Sequence, residues 1–326
     1  MIEKIDKCPI TDSDKKSKYF DLGNIPLVNN LCSTREEAIS CSRYPLSINH
    51  FSESGLTALE YAVDSDVLFS NYVFKSGVNE PYKRHCELMF EYIREYKGIE
   101  SGDIIVDIGG NDGTLLEQFK NKNIQEHVRF LNIDPSSNLS QLSKDKGIDT
   151  ITEFFNEELV DKLNFKADLI TSTNVFQHLK DINSFVRGIK KFLNKDGIWI
   201  LEFPYWINSV LTNQFDQIYH EHMYYYSVTP LYKLFKKHGL KILNVNNHEV
   251  HGGSLRLLIS HKDSKYETNK SVYSYLKEEA KYDTQYYEVW GRDIKEFIVR
   301  SEYRLKSMVH FGSKVWGFGA AAKGCI

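Results

Sequence analysis

Residues 104–116 read IIVDIGGNDGTLL, and this stretch combines three kinds of local signal. A β-branched apolar run ends at Asp107, a glycine-rich turn follows, and the last residues can begin a helix. Glycines accept positive φ angles and let a backbone approach a ligand closely. The stretch therefore predicts a strand, a tight loop and a helix N-terminus at the carboxyl edge of an open α/β sheet, where such sheets bind ligands.

The spacing of the glycines restricts which ligand this loop can bind. A dinucleotide fingerprint has glycines at relative positions one, three and six, but Asn111 and Thr114 occupy two of those places. A P-loop would need Gly-Lys-Ser/Thr after the turn, and that motif does not follow here. Asp107 followed by Gly109 and Gly113 matches instead the acid-x-Gly-x-x-x-Gly pattern of S-adenosylmethionine (SAM) enzymes. An ordinary βα turn is the alternative interpretation.

The next predicted strand, 128–133, also ends in an acid, Asp134. A carboxylate after the second strand of such a sheet can bind both hydroxyls of a ribose. Asp134 could equally cap a helix, because Pro135 and Ser136 follow it. The two roles are compatible, so Asp134 is predicted to contact a nucleoside.

The remaining periodicity predicts further βα units. Strands are expected at 104–108, 149–152, 167–172, 198–203, 241–247 and 255–260, and helices at 80–100, 113–121, 137–146, 182–193 and 229–238, with a long helical region at 270–310. This alternation favours a parallel, doubly wound sheet. We expect a small N-terminal domain at 1–75, a central domain at 76–245, and the start of a third α/β domain at 246–326.

Composition excludes several classes of function. The chain has 326 residues, is 41% hydrophobic and 26% charged, and carries a net charge of −3. This balance provides no bulk basic field for nucleic acid. No apolar run approaches the roughly 18 residues of a membrane span, and the N-terminus lacks the apolar core of a signal peptide. We therefore expect a cytoplasmic protein without a nucleic-acid or membrane partner.

The five cysteines do not form a recognisable framework. Their number is odd and their spacing scattered, which argues against disulfides. Cys8, Cys32, Cys41 and His50 could suggest a zinc site, but structural zinc sites usually contain paired Cys-x-x-Cys knuckles, and none is present. Buried free thiols are the alternative, and we predict no metal.

Residues 219–222 place a phenol, two imidazoles and a carboxylate side by side. Three interpretations remain open: a His-x-His metal chelate, a set of mutually satisfied polar groups, or a histidine base oriented by a neighbour. In a strand, Tyr219 and Glu221 would face away from His222. These three side chains can converge only if the segment forms a loop or a turn.

Six segments resemble the SAM-dependent C-methyltransferases that act on nucleotide-linked 4-keto-deoxysugars. The matching segments are 106–115, 174–178, 202–205, 215–222, 251–256 and 317–324. The resemblance implies a class I SAM methyltransferase with a Rossmann-like doubly wound sheet, a small N-terminal domain and an incomplete C-terminal α/β domain. It also implies methylation of the carbon α to the sugar ketone, through a histidine base and an enolate.

The same resemblance assigns the site residues. It makes His222 the base, assisted by Tyr219, Glu221 and Tyr72. The predicted SAM-binding residues are Asp107, Gly109, Gly113, Asp134, Phe155, Asn174 and His178. The residues predicted to bind the sugar-nucleotide substrate are Tyr205, His251, Arg256 and Lys323.

Two departures from the family pattern keep other functions open. The family's N-terminal zinc knuckle ends in Cys-x-x-Cys-Gly, where this chain has Phe51-Ser52-Glu53-Ser54-Gly55, and Thr11 stands where a cysteine would follow Cys8. The chain also ends inside the first unit of the third domain, either because it is cut or because the sugar-nucleotide platform is lacking. The alternatives are O-methylation of a modified sugar of a surface polysaccharide and a non-catalytic paralogue that binds SAM or a partner enzyme.

Overall fold

The computed structural model describes residues 2–64, 68, 76–78, 80–122, 125–317 and 326, without the side chains of Val78 and His251. The strands are β1 (Ile2–Lys4), β2 (Lys16–Pro26), β3 (Arg43–Phe51), β4 (Leu56–Leu59), β5 (Tyr61–Val63), β6 (Ile104–Ile108), β7 (Arg129–Ile133), β8 (Asp149–Ile151), β9 (Ala167–Thr173), β10 (Leu193–Pro204), β11 (Tyr224–Tyr225), β12 (Leu240–His248) and β13 (Ser254–His261). The helices are α1 (Arg35–Ser40), α2 (Glu80–Tyr96), α3 (Thr114–Lys122), α4 (Ser137–Asp145), α5 (Glu157–Asp161), α6 (Ile182–Phe192), α7 (Trp206–Leu211), α8 (Val228–Lys237), α9 (Lys270–Glu279) and α10 (Thr284–His310).

A seven-stranded sheet forms the centre of the molecule, in the order β12-β13-β10-β9-β6-β7-β8. The pairs from β10 through β8 are parallel, and β13 runs antiparallel to both β10 and β12. The predicted strands 104–108 and 128–133 are confirmed as β6 and β7. This mostly parallel order is the predicted Rossmann-like doubly wound sheet, with one antiparallel strand near its edge.

Helix α6 shows how the sequence covers the sheet. The Asp181 side chain caps its first turn by accepting a hydrogen bond from the backbone N–H of Ser184, at 2.9 Å. Its apolar residues recur at helical spacing, and Ile182, Phe185, Val186, Ile189 and Phe192 are all buried. Phe185 packs against Trp199 of β10, with ring centroids 6.1 Å apart. The helix is therefore held by one apolar face.

The central sheet extends beyond the predicted domain boundary at residue 245. That boundary falls inside β12, and β13 pairs with β10 from Trp199↔Ile259 to Pro204↔Ser254. Residues 246–261 therefore complete the central sheet and do not begin a separate one. The predicted helical region at 270–310 is two helices, interrupted before Asp283, whose side chain caps α10 through the N–H of Tyr286 at 2.9 Å.

The N-terminal part forms a four-stranded antiparallel sheet in the order β11-β4-β3-β2. Its edge strand β11 comes from the central part of the chain, shortly after the 219–222 segment, and pairs Tyr224 with Ala58. Helix α10 lies so close to β2 that a Cβ on Gly291 would be 1.9 Å from the Tyr19 carbonyl oxygen. The N-terminal sheet is thus fixed against the segment that carries the predicted catalytic cluster.

Candidate active site

A cavity of about 340 Å³ opens at the carboxyl ends of β6, β7 and β9. This is the edge at which parallel α/β sheets bind ligands. The described residues in its wall include five predicted SAM-binding residues and one predicted catalytic residue: Gly109, Asp134, Phe155, Asn174, His178 and Glu221. The structure therefore brings most of the predicted donor site together, although each individual role remains a prediction.

The glycine loop forms the floor of this cavity. Gly109 has φ +70°, and a Cβ there would be 2.3 Å from Cγ2 of Val175. A Cβ on Gly110 would be 2.4 Å from Oδ1 of Asn132. No side chain larger than hydrogen fits at either place without displacing its neighbours, so both positions require glycine for the loop to pack as it does.

Asp134 stands beside this loop with its carboxylate held by backbone donors. Oδ2 accepts the N–H of Asn111 at 2.9 Å, and Oδ1 accepts the N–H of Ser136 at 2.8 Å. Burial raises the pKa of this carboxyl, and the two N–H groups oppose that rise. Each oxygen keeps acceptor capacity for a ligand hydroxyl.

Two predicted SAM-binding residues lie outside the cavity wall. The Asp107 carboxyl is buried beneath the loop, where Oδ1 accepts the Thr171 hydroxyl at 2.7 Å and Oδ2 would be 2.7 Å from a Cβ on Gly110. Burial raises the pKa of Asp107 to about 7. Gly113 packs instead against α4, since its Cβ would be 2.5 Å from the Ser143 hydroxyl oxygen. Both residues shape the loop from below.

Asn174 and His178 close the side of the cavity that follows β9. Asn174 has φ +55°, and its Oδ1 is buried without a hydrogen-bond partner among the described residues. His178 donates from Nδ1 to the Glu221 carbonyl at 2.6 Å. Burial lowers the pKa of His178 to about 4, so this imidazole is neutral at pH 7.

Residues 219–222 form the predicted turn, but it brings together only two of the three side chains, Tyr219 and His222. The N–H of His222 bonds to the Tyr219 carbonyl at 3.0 Å, and the Tyr219 hydroxyl lies 2.7 Å from Nε2 of His222. Glu221 diverges from this pair: it lines the cavity and accepts a hydrogen bond from Asn29 of the N-terminal part. Burial raises the pKa of Glu221, and Asn29 opposes that rise.

His222 itself lies behind the cavity wall. Its ring is 6% exposed and lines a separate space of about 10 Å³. Nδ1 lies 3.2 Å from the Gln217 carbonyl, which can only accept, so Nδ1 carries the proton and Nε2 accepts from Tyr219. The His178 ring, which does line the cavity, is 5.1 Å away between centroids. The partly exposed Tyr219 is therefore the more accessible end of this pair.

Comparison with known families settles the general activity. The family model described as a methyltransferase domain matches residues 81–245, about half of the chain. This chain belongs to the methyltransferase family. It is a SAM-dependent methyltransferase. A second model, described as a C-methyltransferase C-terminal domain, matches residues 249–326.

Individual relatives were also found for this methyltransferase. C-methyltransferase NovU from Streptomyces niveus is 29% identical over 334 residues, covering 99% of this chain and 78% of the relative. A solved SAM-dependent methyltransferase from Clostridium acetobutylicum is 15% identical with a TM-score of 0.43, covering 60% of this chain and 95% of its own. The magnesium protoporphyrin IX methyltransferase from Synechocystis is 12% identical with a TM-score of 0.44, covering 55% and 83%.

Two residues predicted to bind the substrate are buried elsewhere in the methyltransferase. The Arg256 guanidinium, 2% exposed, pairs with Oε2 of Glu202 at 2.9 Å, and Glu202 also contacts Nε2 of His85 at 2.6 Å. The Tyr205 hydroxyl donates to Oε1 of Glu279 at 3.0 Å. Neither residue lines the cavity. Each polar group is instead paired with a buried acid.

Three other predicted residues cannot be placed at the site. Tyr72 and Lys323 lie outside the described residues, as does the side chain of His251, whose backbone lies in a short 3₁₀ turn.

The described residues contain no group of three or more His, Cys, Asp or Glu side chains suited to a metal. Cys8 is buried and its thiol donates to the Ser54 hydroxyl at 3.1 Å. In the described part of the chain, no helix is long and apolar enough to cross a membrane.

Sequence reasoning missed His220, which lines the cavity, and Asn29, which contacts a lining residue. His220 lines the wall, and Asn29 reaches the Glu221 carboxylate from the loop after β2. His220 belonged to the cluster that the sequence singled out, but it received no role there. Alternation in a strand would place it on the same side as His222, whereas the turn places only His220 in the cavity wall. Asn29 is 192 positions from Glu221 and carries no local signal.

Proposed function

We propose that this methyltransferase transfers a methyl group to the carbon α to the ketone of a nucleotide-linked 4-keto-deoxysugar. The C-terminal family model and the similarity to NovU support carbon as the methylated atom. The Tyr219–His222 pair, whose imidazole lies 5.1 Å between ring centroids from His178 of the cavity wall, supports an acceptor that must first lose a proton. Resemblance to the sugar C-methyltransferases supports the substrate class.

The cavity residues fit SAM as the methyl donor. Asn174 offers a buried Oδ1 without a partner among the described residues, Asp134 offers acceptor capacity, and Gly109 and Gly110 place the loop backbone in the cavity wall. Asp134, Phe155, Asn174 and the glycine backbone would hold the donor. When bound, SAM supplies a methyl group already activated by a positively charged sulfur.

The observation that carries the proposal is the contact geometry of the Tyr219–His222 pair, from which its protonation pattern is inferred. The Gln217 carbonyl holds the proton on Nδ1 of His222, so the lone pair on Nε2 faces the Tyr219 hydroxyl. A phenol alone is a weak base at neutral pH because its own proton must leave first. His222 takes that proton, and Tyr219 and His222 therefore act as one proton-accepting unit.

The proton step then balances within the chain. The α C–H bond of the acceptor breaks, its proton passes to the Tyr219 oxygen, and the Tyr219 proton passes to Nε2 of His222. The electron pair of the broken bond is delocalised onto the ketone oxygen, which makes the α carbon nucleophilic. Such general-base assistance typically contributes about two to four decades in rate, and positioning by the surrounding wall adds to it.

Product analysis tests this function. The protein is incubated with methyl-¹³C SAM and a panel of nucleotide-linked 4-keto-deoxysugars and their 4-hydroxy counterparts, and the products are examined by mass and carbon NMR. We expect a ¹³C-methyl group coupled to a neighbouring sugar carbon, and only with the ketones. A methyl ether would establish O-methylation, and absence of any methylated product would support the non-catalytic alternative.

A further inference from the structure

His220 is an imidazole in the cavity wall that the proposed proton step does not use. It is 2% exposed and lies on the same turn as Tyr219 and His222. Its neighbours in the wall include Glu221, Met223 and Lys180. Asp134 and Phe155, which would hold the nucleoside of the donor, belong to a different part of the chain, after β7 and β8.

The N-terminal sheet fixes the orientation and tautomer of this ring. Nε2 lies 3.2 Å from the backbone carbonyl oxygen of Tyr44 in β3. A carbonyl can only accept, so Nε2 carries the proton and Nδ1 carries a lone pair. Burial lowers the pKa of His220 below its usual 6.5, against the opposing effect of the backbone carbonyls of Tyr44 and Pro45, so the ring is neutral at pH 7. Nδ1 is therefore an acceptor whose direction is set by the backbone of another sheet.

Nδ1 of His220 is also buried without a hydrogen-bond partner among the described residues. The other two imidazoles of the region differ, because His178 bonds to the Glu221 carbonyl and His222 to the Gln217 carbonyl and Tyr219. A buried polar atom without a partner costs roughly 1–3 kcal/mol, and native proteins usually satisfy it. A hydrogen-bond donor on a bound ligand would remove that cost.

We propose that Nδ1 of His220 accepts a hydrogen bond from a hydroxyl group of the methyl acceptor. His220 is then a specificity-determining residue that selects a hydroxyl-bearing sugar and orients it against Tyr219. This inference rests on the proposed function, because it requires an acceptor with a hydroxyl beside the reacting carbon. In this proposal the contact between Nε2 and the Tyr44 carbonyl fixes the ring orientation and so the position of Nδ1.

Two substitutions separate the roles of the two ring nitrogens. In His220→Asn, the amide oxygen can occupy the place of Nδ1, while the contact with the Tyr44 carbonyl is lost. In His220→Gln, the longer amide can keep the donor to Tyr44, while the acceptor at Nδ1 is lost. We expect His220→Gln to lower kcat/KM for the acceptor about five- to tenfold, with an unchanged Kd for S-adenosylhomocysteine. His220→Asn should stay within about threefold of wild type in kcat/KM and lose thermal stability.

Acceptors that lack one hydroxyl give an independent measurement if either variant folds poorly. Removal of the hydroxyl that meets His220 should lower kcat/KM about five- to tenfold in wild type and cause no further loss in His220→Gln. Three results would overturn the inference. The first is a wild-type kcat/KM in His220→Gln, and the second is a kcat/KM that falls only in His220→Asn. The third is weaker binding of S-adenosylhomocysteine in both variants. If wild type methylates no 4-keto sugar, the proposed function fails and this inference fails with it; the other outcomes leave the proposed function standing.

Discussion

The donor end and the acceptor end of the cavity are built in opposite ways. The donor end comes from successive βα units, so that Gly109, Asp134 and Asn174 each follow the strand that delivers them. The acceptor end joins distant segments: Asn29 and the Tyr44 carbonyl belong to the N-terminal part, and His220 and Glu221 to the 219–222 turn. The donor end thus follows from local sequence, whereas the acceptor end exists only once the two sheets are packed together.

Loss of the proton-accepting pair should produce the largest effect and should leave the donor end intact. His222→Ala and Tyr219→Phe are each expected to lower turnover about 10²- to 10⁴-fold, because the acceptor proton then has no base. Calorimetry should show the same S-adenosylhomocysteine affinity as wild type. Tyr303→Phe, on the exposed face of α10, is the control for loss of a phenol. Turnover close to wild type in His222→Ala would remove that residue from the mechanism.

A methyl group in the glycine loop should damage the donor end. Gly109→Ala places a side chain in the left-handed region, at about 1–2 kcal/mol, and pushes it into Val175, at about 1–3 kcal/mol more. We expect lower unfolding free energy and weaker S-adenosylhomocysteine binding. Gly102→Ala is the matched control, since its φ is +88° but nothing lies within 4 Å of the new Cβ. Equal losses in the two variants would show that the close packing of the loop is unimportant.

Acid should weaken the sheet that supports the acceptor end. Burial lowers the pKa of His50 in β3 to about 4, from 6.5 in the unfolded chain. The unfolded chain therefore binds the extra proton between pH 6.5 and 4. Stability is complete above that window and falls with falling pH inside it, by up to about 1.4 kcal/mol per pH unit.

Denaturant unfolding at pH 7 and pH 5 checks this dependence on His50. His50→Gln should lose less unfolding free energy between the two pH values than wild type does, whereas replacement of the exposed His310 by Gln should not change the difference. An identical difference in wild type and His50→Gln would show that His50 does not control the acid response of the sheet.

Asn29 should have the smallest effect, confined to the acceptor end. Asn29→Ala removes the donor to Glu221, so the pKa of that carboxyl should rise further and the acid limb of kcat/KM should move to higher pH. We expect about a fivefold lower kcat/KM for the acceptor and unchanged donor affinity. Its exposed neighbour Asn30 gives the control Asn30→Ala. The same pH profile in both variants would contradict a role for Asn29 in positioning Glu221.

Local sequence could predict the donor end because each feature has a local cause. Apolar runs in the sequence predict β6, β7 and β9, and the residues that directly follow these strands lie at one edge of the sheet. Asp107 and Gly113 show the limit of that reasoning, since the motif does not reveal which of its members face the ligand and which support the loop.

Partners from distant segments could not be predicted. The family resemblance assigned Arg256 and Tyr205 to the substrate, and nothing in the sequence shows that Glu202 and Glu279 are packed against them. The continuation of the central sheet past residue 245 was missed for the same reason, because β13 inserts between β10 and β12 through long-range pairing. His220 differs from His222 only through the turn and the Tyr44 carbonyl, which are tertiary features.

Hydrogen exchange at the acceptor carbon tests the central claim most directly. The protein is incubated in deuterium oxide with a nucleotide-linked 4-keto-deoxysugar and S-adenosylhomocysteine, so that no methyl transfer can occur, and the sugar is analysed by NMR. We predict enzyme-dependent deuterium incorporation at the α carbon in wild type, reduced to the background rate in His222→Ala. Methylation of the same sugar without such incorporation, or equal incorporation in His222→Ala, would contradict proton removal by the Tyr219–His222 pair.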